Sequence, residues 1–340
     1  MSLVNGARAR LRSRTQVVGG VALCAGLGLS AFLLSPIVPA PLMVLALLLG
    51  MIARAVIPSG VAQVDSGVKF CAREVLRAGV ALLGLRVAVS DIVALGPHAL
   101  VVVLISLVVT LTSGYAIARL LKQPADVATT SATSVAVCGA SAALAASAVA
   151  PQREGLDKQT AAIIVAVSLL STVVMVLYPW LSMRLGFGDH ATAILLGAAI
   201  HDVAQVAGAG FSISDTIGVE AVTVKMIRVA CLLPVVIVVG YHLSRAGAGA
   251  AENARLPAPP AFLLAFFALS AIVSIGLVPA PVISAGANIS SWSLAIAVAA
   301  IGVKTSIGDL RRVDPRLILG LSLQTIVQLL VVVGLIVILR

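Results

Sequence analysis

The sequence predicts an all-α polytopic membrane protein with about eleven transmembrane helices, and three observations support this. Of the 340 residues, 60% are hydrophobic and only 11% are charged, whereas a soluble domain carries roughly 25% charged residues. The apolar residues form runs near the roughly 20 residues that cross a bilayer. Most charged residues lie in the short segments between those runs, so lipid must solvate much of the surface.

The apolar spans follow one another with short connections. The first comes after a basic, cytoplasmic N-terminus at 1–15, and its length indicates a retained helix rather than a cleaved signal peptide. The predicted spans are 16–37, 41–57, 69–88, 97–120, 125–150, 159–183, 190–211, 217–243, 259–279, 289–308 and 313–339.

Lysine and arginine side chains set the predicted orientation, because they accumulate in cytoplasmic loops. With the N-terminus in the cytoplasm, 15 of the 23 lie inside, 4 lie outside and 4 lie within the membrane. The reverse orientation inverts this ratio. We therefore predict an odd number of spans in the bacterial inner membrane, with the C-terminus outside. The net charge of +10 is interpreted as this loop bias and not as a nucleic-acid surface.

Matching segments recur in the same order in the two halves of the chain. An L-L-G motif occurs twice, and each half has one arginine inside an apolar run, Arg77 and Arg228. These matches predict two five-helix repeats, 41–183 and 190–339, after the extra first helix at 16–37. Because five is odd, the second repeat would be inverted, as in many secondary transporters.

The fifth span, ADVATTSATSVAVCGASAALAASAVAP, consists almost entirely of Ala, Ser, Thr, Val and Gly. We predict that this helix is interrupted at Gly139, near the middle of the membrane. A half-helix N-terminus carries unpaired N–H groups and roughly half a positive charge, which together bind anions. The alternative is an unbroken helix of small residues packed inside the bundle. The candidate anion ligands are Thr133, Ser134, Cys138, Gly139, Ala140 and Ser141.

The tenth span, SSWSLAIAVAAIGVKTSIGDL, is the predicted partner of the fifth. It is expected to break at Gly302 and to cross the fifth span, with Lys304, Thr305 and Ser306 as further anion ligands. Lys304 is either a buried cation at this crossing or a lysine at the inner helix end that reaches the lipid headgroups. The sequence leaves both interpretations open.

The seventh span contains the pair His201 and Asp202 in the middle of an apolar run. An acidic residue at that depth costs about 2.5–3.5 kcal/mol on insertion scales, so it is a functional candidate. Asp202 is the predicted carrier of a coupling proton or Na+, with His201 beside it and Gln205 on the same helix face. The alternative is a structural ion pair between Asp202 and Arg228.

The predicted membrane interior is rich in cations, since Arg77, Lys225, Arg228 and Lys304 face few acids. A buried cation without a partner is costly. An anionic substrate would supply the missing charge, and the donor fork of Arg228 suits an oxyanion. The sequence contains no phosphate-binding loop, no hydrolase or metalloprotease motif and no zinc-type cysteine spacing. It therefore predicts neither an enzyme nor a cofactor or metal site.

Five segments resemble, in order and spacing, the YeiH-type sulfate exporter family of UPF-type conserved membrane proteins. They are REVLRAGVALLGLRVAVSDI, TSATSVAVCGASAALAASAVAP, GAAIHDVAQVAGAG, VTVKMIRVACLLPVVIV and IGVKTSIGDLRRVDPR. The likeness begins at about residue 41 and is strongest at Cys138–Ser141, His201–Gln205 and Lys225–Arg228. That family usually has Glu where this chain has Asp202.

This resemblance implies a fold similar to the bile-acid symporters and the sodium–proton antiporters. In that fold two crossing discontinuous helices, here spans 5 and 10, belong to a core domain that moves against a panel domain. Sulfate, export and a homodimer are also what the resemblance implies.

The predicted function is secondary active transport of a small oxyanion, sulfate or a sulfonate-like compound, coupled to H+ or Na+. The predicted partners are this anion, the coupling ion and the lipid bilayer. An anion channel, a transporter of a different small organic anion and a receptor-like membrane protein are the alternatives. A channel would need a continuous polar path, whereas the polar residues here cluster at one depth.

Overall fold

The computed structural model describes residues 2–38, 40–56, 62–151, 153–245, 258–305 and 313–339. All regular secondary structure within these ranges is helical. The helices long and apolar enough to cross a membrane are Val17–Leu34, Gly96–Leu120, Leu156–Arg184, Asp215–Leu243, Ala280–Lys304 and Pro315–Ile338. This confirms an all-α membrane protein with several apolar helices, while the total of eleven spans stays a prediction.

The helices form two compact units, and each unit draws on both halves of the chain. Unit one comprises Met1–Ala88, Phe211–Ile213 and Ala265–Ser306. Unit two comprises Val89–Gly210, Ser214–Leu264 and Ile307–Arg340. The repeats predicted at 41–183 and 190–339 stay a prediction.

Unit one contains four long or composite helices and most of a fifth. The third is composite. A π-helical turn at Cys71–Val75 joins its two α-helical segments, Ala62–Phe70 and Leu76–Leu83, and a 3-10 turn at Gly84–Arg86 ends it. The elements are α1 (Ser2–Leu34), α2 (Leu42–Val56), α3 (Ala62–Phe70), α4 (Leu76–Leu83), α14 (Ala261–Ser274) and α15 (Ala280–Lys304).

Glycines bring the backbones of α2 and α15 into direct contact. A Cβ atom on Gly50 would lie 2.2 Å from the Ala299 carbonyl oxygen, and one on Gly302 would lie 2.3 Å from that of Leu47. Helix α15 therefore continues through Gly302 and ends at Lys304. Because residues 306–312 lie outside the described residues, the predicted interruption of the tenth span stays a prediction. Gly302 permits close helix packing instead of ending a helix.

The described tenth-span candidates lie at the C-terminal end of α15. Lys304 is the exposed last residue of α15, and Thr305 caps its C-terminus. Ser306 lies outside the described residues.

The other described helices lie wholly or mostly in unit two. They are α5 (Val89–Ala94), α6 (Gly96–Leu120), α7 (Ala125–Ala136), α8 (Ala140–Val149), α9 (Leu156–Arg184), α10 (Asp189–Ala199), α11 (Val203–Phe211), α12 (Asp215–Ala230), α13 (Leu232–Arg245) and α16 (Pro315–Ile338).

Helices α7 and α8 fold back on each other as a helical hairpin, which we name hairpin one. Arg153, just after α8, donates from Nε to Asp126 Oδ2 in the first turn of α7 at 2.6 Å. A straight helix would separate these two ends by about 37 Å. The predicted interruption at Gly139 is confirmed, since the chain turns between α7 and α8 at Val137–Gly139. The fifth span, however, returns to the side from which it starts.

Helices α10 and α11 form a second hairpin, named hairpin two. His190, at the start of α10, pairs through Nδ1 with the carboxylate of Glu220 in α12. Gly210, near the end of α11, lies against Gly218, where an added Cβ would be 2.8 Å from the Gly218 Cα. Both ends of the hairpin therefore lie beside the first turns of α12. The turn is at Ile200–Asp202, in the seventh span.

The long helix α9 connects the two hairpins and shows that they enter unit two from opposite ends. Its 29 residues extend about 43 Å, from the base of hairpin one to the base of hairpin two. Both turns meet its middle. A Cβ on Gly139 would lie 3.4 Å from Val167 Cγ1, and the Asp202 N–H donates to Ser171 Oγ at 3.2 Å. Two hairpin turns, in spans 5 and 7, thus meet at the middle of α9, while the predicted crossing of spans 5 and 10 stays a prediction.

Candidate functional site

The candidate site lies where the two hairpins meet. We call Val137–Gly139 tip one and Ile200–Asp202 tip two. Gly139 has φ +62° and ψ −123°, a conformation that is essentially restricted to glycine. A Cβ at Gly139 would lie 3.8 Å from the Asp202 Cβ and 3.9 Å from the His201 carbonyl carbon. The two tips are therefore in direct contact.

Each tip leaves backbone groups without helical partners. Helices α7 and α10 end there, so their last carbonyl groups have no partner within the helix and carry roughly half a negative charge. Helices α8 and α11 begin there, so their first N–H groups carry the opposite partial charge. Such irregular backbone at membrane depth is tolerated only where protein or water satisfies it.

Lys225 of α12 joins the two tips. Its Nζ donates to the Val137 carbonyl oxygen of tip one at 2.9 Å and to the Ile200 carbonyl oxygen of tip two at 2.7 Å. The side chain is fully buried. A buried ammonium is costly unless it is compensated, and here the negative ends of two helices compensate it.

Arg228, one helical turn further along α12, also contacts both hairpins. Its Nε donates to Ala136 O at 2.6 Å and its Nη2 to Val135 O at 2.8 Å, both in α7. Its Nη1 donates to Ala198 O of α10. The guanidinium is fully buried. All three of its nitrogens thus bind carbonyl oxygens at the helix ends.

Helix α16 supplies polar side chains that the sequence analysis missed. Gln328 Nε2 donates to Ala198 O at 3.1 Å and to Val135 O at 3.4 Å. Gln324 Nε2 lies 3.5 Å from Ser131 Oγ of α7. Both glutamines are buried. The signal that could have found them is the spacing of Gln324 and Gln328 by four residues, which places two amides on one face of an apolar helix.

His201 of tip two is fully buried. Its Nε2 lies 3.0 Å from Thr325 Oγ1, and the Thr325 hydroxyl lies 2.8 Å from Leu321 O. The imidazole also interacts with the Gln328 side chain and with the Val135 backbone. Gln205 Oε1 has no hydrogen-bond partner within the described ranges.

The positive helix ends are more accessible than the negative ones. Helix α8 begins without a side-chain cap. Its first residue, Ala140, is half-buried, and its second, Ser141, is exposed. Asp202, at the start of α11, is half-buried. Its backbone N–H is the one that donates to Ser171.

The predicted ligands of the fifth span divide into two groups. Cys138, Gly139, Ala140 and Ser141 form tip one and the start of α8. The hydroxyls of Thr133 and Ser134 instead bind backbone carbonyls, of Thr129 at 2.8 Å and of Gly139 at 3.0 Å. The structure therefore brings together Cys138–Ser141, His201, Asp202 and Arg228. Gly302, Lys304 and Thr305 belong to unit one.

In the part of the chain that the structure describes, no three His, Cys, Asp or Glu side chains are grouped to hold a metal ion. The chemistry at the tips is instead that of backbone amides, two cations and one carboxylate.

The model of the family described as Conserved hypothetical protein 698 matches residues 19–321. The chain belongs to this family. It is 41% identical over 295 residues to the UPF0324 membrane protein TauZ of Paracoccus pantotrophus, covering 86% of this chain and 87% of that protein. It is 43% identical over 291 residues to TauZ of Paracoccus denitrificans, covering 85% of each.

Another relative covers almost the whole chain. The UPF0324 membrane protein RA0957 of Rhizobium meliloti (strain 1021) is 38% identical over 328 residues, covering 95% of this chain and 93% of that protein. No solved structure matches. The matches confirm the resemblance to a UPF-type family of conserved membrane proteins, and with the apolar helices they support a multi-pass membrane protein.

Proposed function

We propose that this member of the Conserved hypothetical protein 698 family is a secondary active transporter of a small oxyanion. The substrate is sulfate or a sulfonate-like anion, and transport proceeds by alternating access, in the direction of export that the family resemblance implies. The observation that supports this most strongly is the meeting of two opposed hairpins around two fully buried cations. Many secondary transporters bind their substrate at interrupted helices, whose N-termini point at anionic groups.

Two features favour an anion over a cation as the substrate. Lys225 and Arg228 already satisfy the negative helix ends at the tips, so those carbonyls are not free to coordinate a cation. The positive ends of α8 and α11 remain, and Ser141 is exposed at the first of them. We assign the anion to the first N–H groups of these helices, together with the Ser141 hydroxyl.

This assignment gives Arg228 a different role from that of a direct ligand. Because its three nitrogens bind carbonyl oxygens, we assign Arg228 and Lys225 to holding the tips together and to supplying positive charge nearby. Cys138 and Gly139 shape the turn in which the anion site forms. Ser134 supports that turn through its bond to the Gly139 carbonyl.

Asp202 is the proposed carrier of the coupling ion, H+ or Na+. It is half-buried at tip two, close enough to Lys225 for an electrostatic interaction. His201 and Gln205 flank it, and Gln205 Oε1 has no hydrogen-bond partner among the described residues. A cation bound here would change the charge that the anion meets.

We place the protein in the bacterial inner membrane with its N-terminus inside and its C-terminus outside. Because hairpin one returns to the side of the membrane from which it starts, Arg153 and Lys158 lie on the cytoplasmic side together with Lys122. Arg184 then lies on the outer side. The excess of basic residues inside is therefore retained. Two hairpins remove two crossings, so the number of crossings stays odd.

The first experiment measures thermal stabilisation of the purified protein by potassium sulfate, thiosulfate and methanesulfonate, against potassium chloride at equal ionic strength. A ligand at about 100 times its Kd stabilises the folded state by about 2.7 kcal/mol, which a melting curve resolves. We expect at least one oxyanion to stabilise beyond chloride. The absence of any such shift would refute the oxyanion assignment.

The second experiment measures radioactive anion uptake into proteoliposomes. We expect saturable flux that depends on a proton or Na+ gradient, and we expect Asp202→Asn to abolish that dependence. Full gradient dependence in Asp202→Asn would remove Asp202 from the coupling role. Unitary currents in a planar bilayer would instead identify an anion channel.

A further inference from the structure

The composite helix of unit one carries charged side chains along one face. Lys69, Arg73 and Glu74 are exposed, and Arg77 is half-buried. We call these four residues the charged face. Arg73 and Glu74 belong to the π-helical turn Cys71–Val75, and such turns are frequent at functional sites. The charged face is therefore centred on an irregular turn of the helix.

Two glycines show how deep the charged face lies. A Cβ on Gly67 would lie 2.6 Å from the Gly20 Cα, and Gly20 is the fourth residue of the membrane-crossing segment of α1. The Gly79 carbonyl oxygen accepts a hydrogen bond from Ser290 Oγ at 2.7 Å, near the middle of α15. The twelve residues from Gly67 to Gly79 extend about 18 Å, close to half of the roughly 30 Å hydrocarbon core. The charged face therefore extends from the edge of the membrane towards its middle.

Lipid alone does not solvate the charged face. Arg73 is midway between the two glycines, and its side chain is 64% exposed. Its Nε lies 3.6 Å from Glu74 Oε1, and Arg77 Nη1 lies 3.3 Å from the same oxygen. Charged side chains within a membrane span almost always face the bundle interior or a water-filled cavity. The other side of this helix already packs on α1 and α15 through Val68 and Cys71. Water is therefore the neighbour that these exposed charges require.

The composition of the charged face favours anions. Three of its side chains are basic and one is acidic, so positive charge is in excess. A cleft lined by charges of one sign concentrates ions of the opposite sign, and the guanidinium groups of Arg73 and Arg77 match the geometry of an oxyanion. Lys69 lies at the end of the face nearest to Gly20, which the proposed topology places close to the cytoplasm.

We infer that the charged face lines a water-filled passage that opens to the cytoplasm and brings a small oxyanion towards the middle of the membrane. Lys69 lies at the entrance, and Arg73 and Arg77 bind the anion further inside. The use of this passage by a transported anion rests on the proposed function. The presence of water and the preference for anions at this face are tested without any transport measurement.

The experiment places one thiol on this face without removing a charge. Ala78 is exposed one helical turn after Glu74, and Ala78→Cys is made in a background in which the native cysteines are serine. Inside-out membrane vesicles are treated with the membrane-impermeant anion 2-sulfonatoethyl methanethiosulfonate. The control is Val108→Cys, at a position 57% exposed in the middle of the apolar helix α6. Because a thiol must ionise in water to react, we expect Ala78→Cys to react at least about tenfold faster than Val108→Cys.

A second measurement tests the preference for anions. The rate at Ala78→Cys is compared with that of the cationic reagent 2-trimethylammonioethyl methanethiosulfonate, each relative to its rate with a free thiol in solution. We expect the anionic reagent to be preferred, and we expect added Arg73→Gln to lower this preference about threefold, as the loss of a nearby charge predicts. Added Arg73→Lys keeps the charge and should keep the preference. Added Lys158→Gln removes a charge at an exposed position of α9 and should leave it unchanged.

The outcomes separate this inference from the proposed function. If Ala78→Cys reacts no faster than Val108→Cys, lipid or another protein surface covers the charged face and the inference is overturned. It is also overturned if the cationic reagent is preferred or if Arg73→Gln has no effect. The thermal-shift and uptake experiments decide the proposed function in either case. If Ala78→Cys does not fold, Arg73→Cys places the thiol at another exposed position of the charged face and decides between water and lipid.

Discussion

Replacing Lys225 by methionine tests whether the contact between the hairpins depends on one ammonium group. Methionine is close to lysine in length but cannot donate a hydrogen bond, so the carbonyls of Val137 and Ile200 lose the donor shown at 2.9 Å and 2.7 Å. Each buried carbonyl left without a partner costs about 1–3 kcal/mol, or about 2–6 kcal/mol for the two. Removing a buried charge offsets a part of this. We expect a net loss of about 2–4 kcal/mol in the free energy of unfolding.

Reversible unfolding in mixed detergent micelles measures this loss directly. A second readout reports the tips themselves. Cys138 lies between Val137 and Gly139 and is only 5% exposed. If the tips separate, its thiol should react faster with a maleimide, measured in a background in which Cys24, Cys71 and Cys231 are serine.

Lys158→Met provides the matched control, because Lys158 is exposed in the first turn of α9. Surface substitutions of this kind usually change stability by no more than about 0.5 kcal/mol. If Lys225→Met is as stable as Lys158→Met, and if Cys138 reacts no faster, the ammonium does not hold the tips together and the account of the site is wrong.

Three further substitutions test other parts of the structure. Gly139→Ala should cost about 1–3 kcal/mol in the free energy of unfolding, because the φ of +62° disfavours any side chain; a melting temperature equal to that of wild type would contradict this. A double-mutant cycle of Asp126→Ala and Arg153→Ala should give a coupling energy of about 0.5–1 kcal/mol, since Arg153 is partly exposed; additive losses would show that the pair does not close hairpin one. Gly50→Val should destabilise by about 3 kcal/mol or prevent folding, because its Cβ would lie 2.2 Å from the Ala299 carbonyl oxygen; normal stability would disprove the backbone contact.

Local composition predicted the interruption in the fifth span, because the small residues around Gly139 exclude that helix from lipid. The same reasoning did not predict that Gly302 packs against another helix. Glycine serves both to end helices and to let them pack closely, and the difference lies in the partner. A Cβ on Gly302 would be 3.0 Å from the Gly50 Cα, and this neighbour is 252 positions away in the printed sequence.

The direction of the chain after a break is not visible in a local pattern. A half-helix that continues and one that folds back have the same composition and periodicity. In hairpin one, the ion pair between Asp126 and Arg153 shows that the chain folds back, and these two residues are 27 positions apart. The structure places Asp202 at tip two. The sequence did not predict that the chain turns beside it.

Arg228 shows that the partner of a buried side chain is also not visible in a local sequence pattern. A lone arginine in an apolar run indicates a buried partner of opposite charge. The sequence cannot show that this partner is a set of backbone carbonyls, because a carbonyl at a helix end becomes available only when the helices end at the same point. Gln324 and Gln328 were missed because the apolar residues around them made α16 read as a lipid-facing span.

The cations of α12 have a mechanical consequence. Lys225 and Arg228 each bind both hairpins, so moving one hairpin alone would take carbonyl partners away from both buried cations. In the proposed transport cycle the two hairpins would then move as one body. A substrate bound between their tips would cross the bilayer together with them and would not pass through a gate that opens in one hairpin.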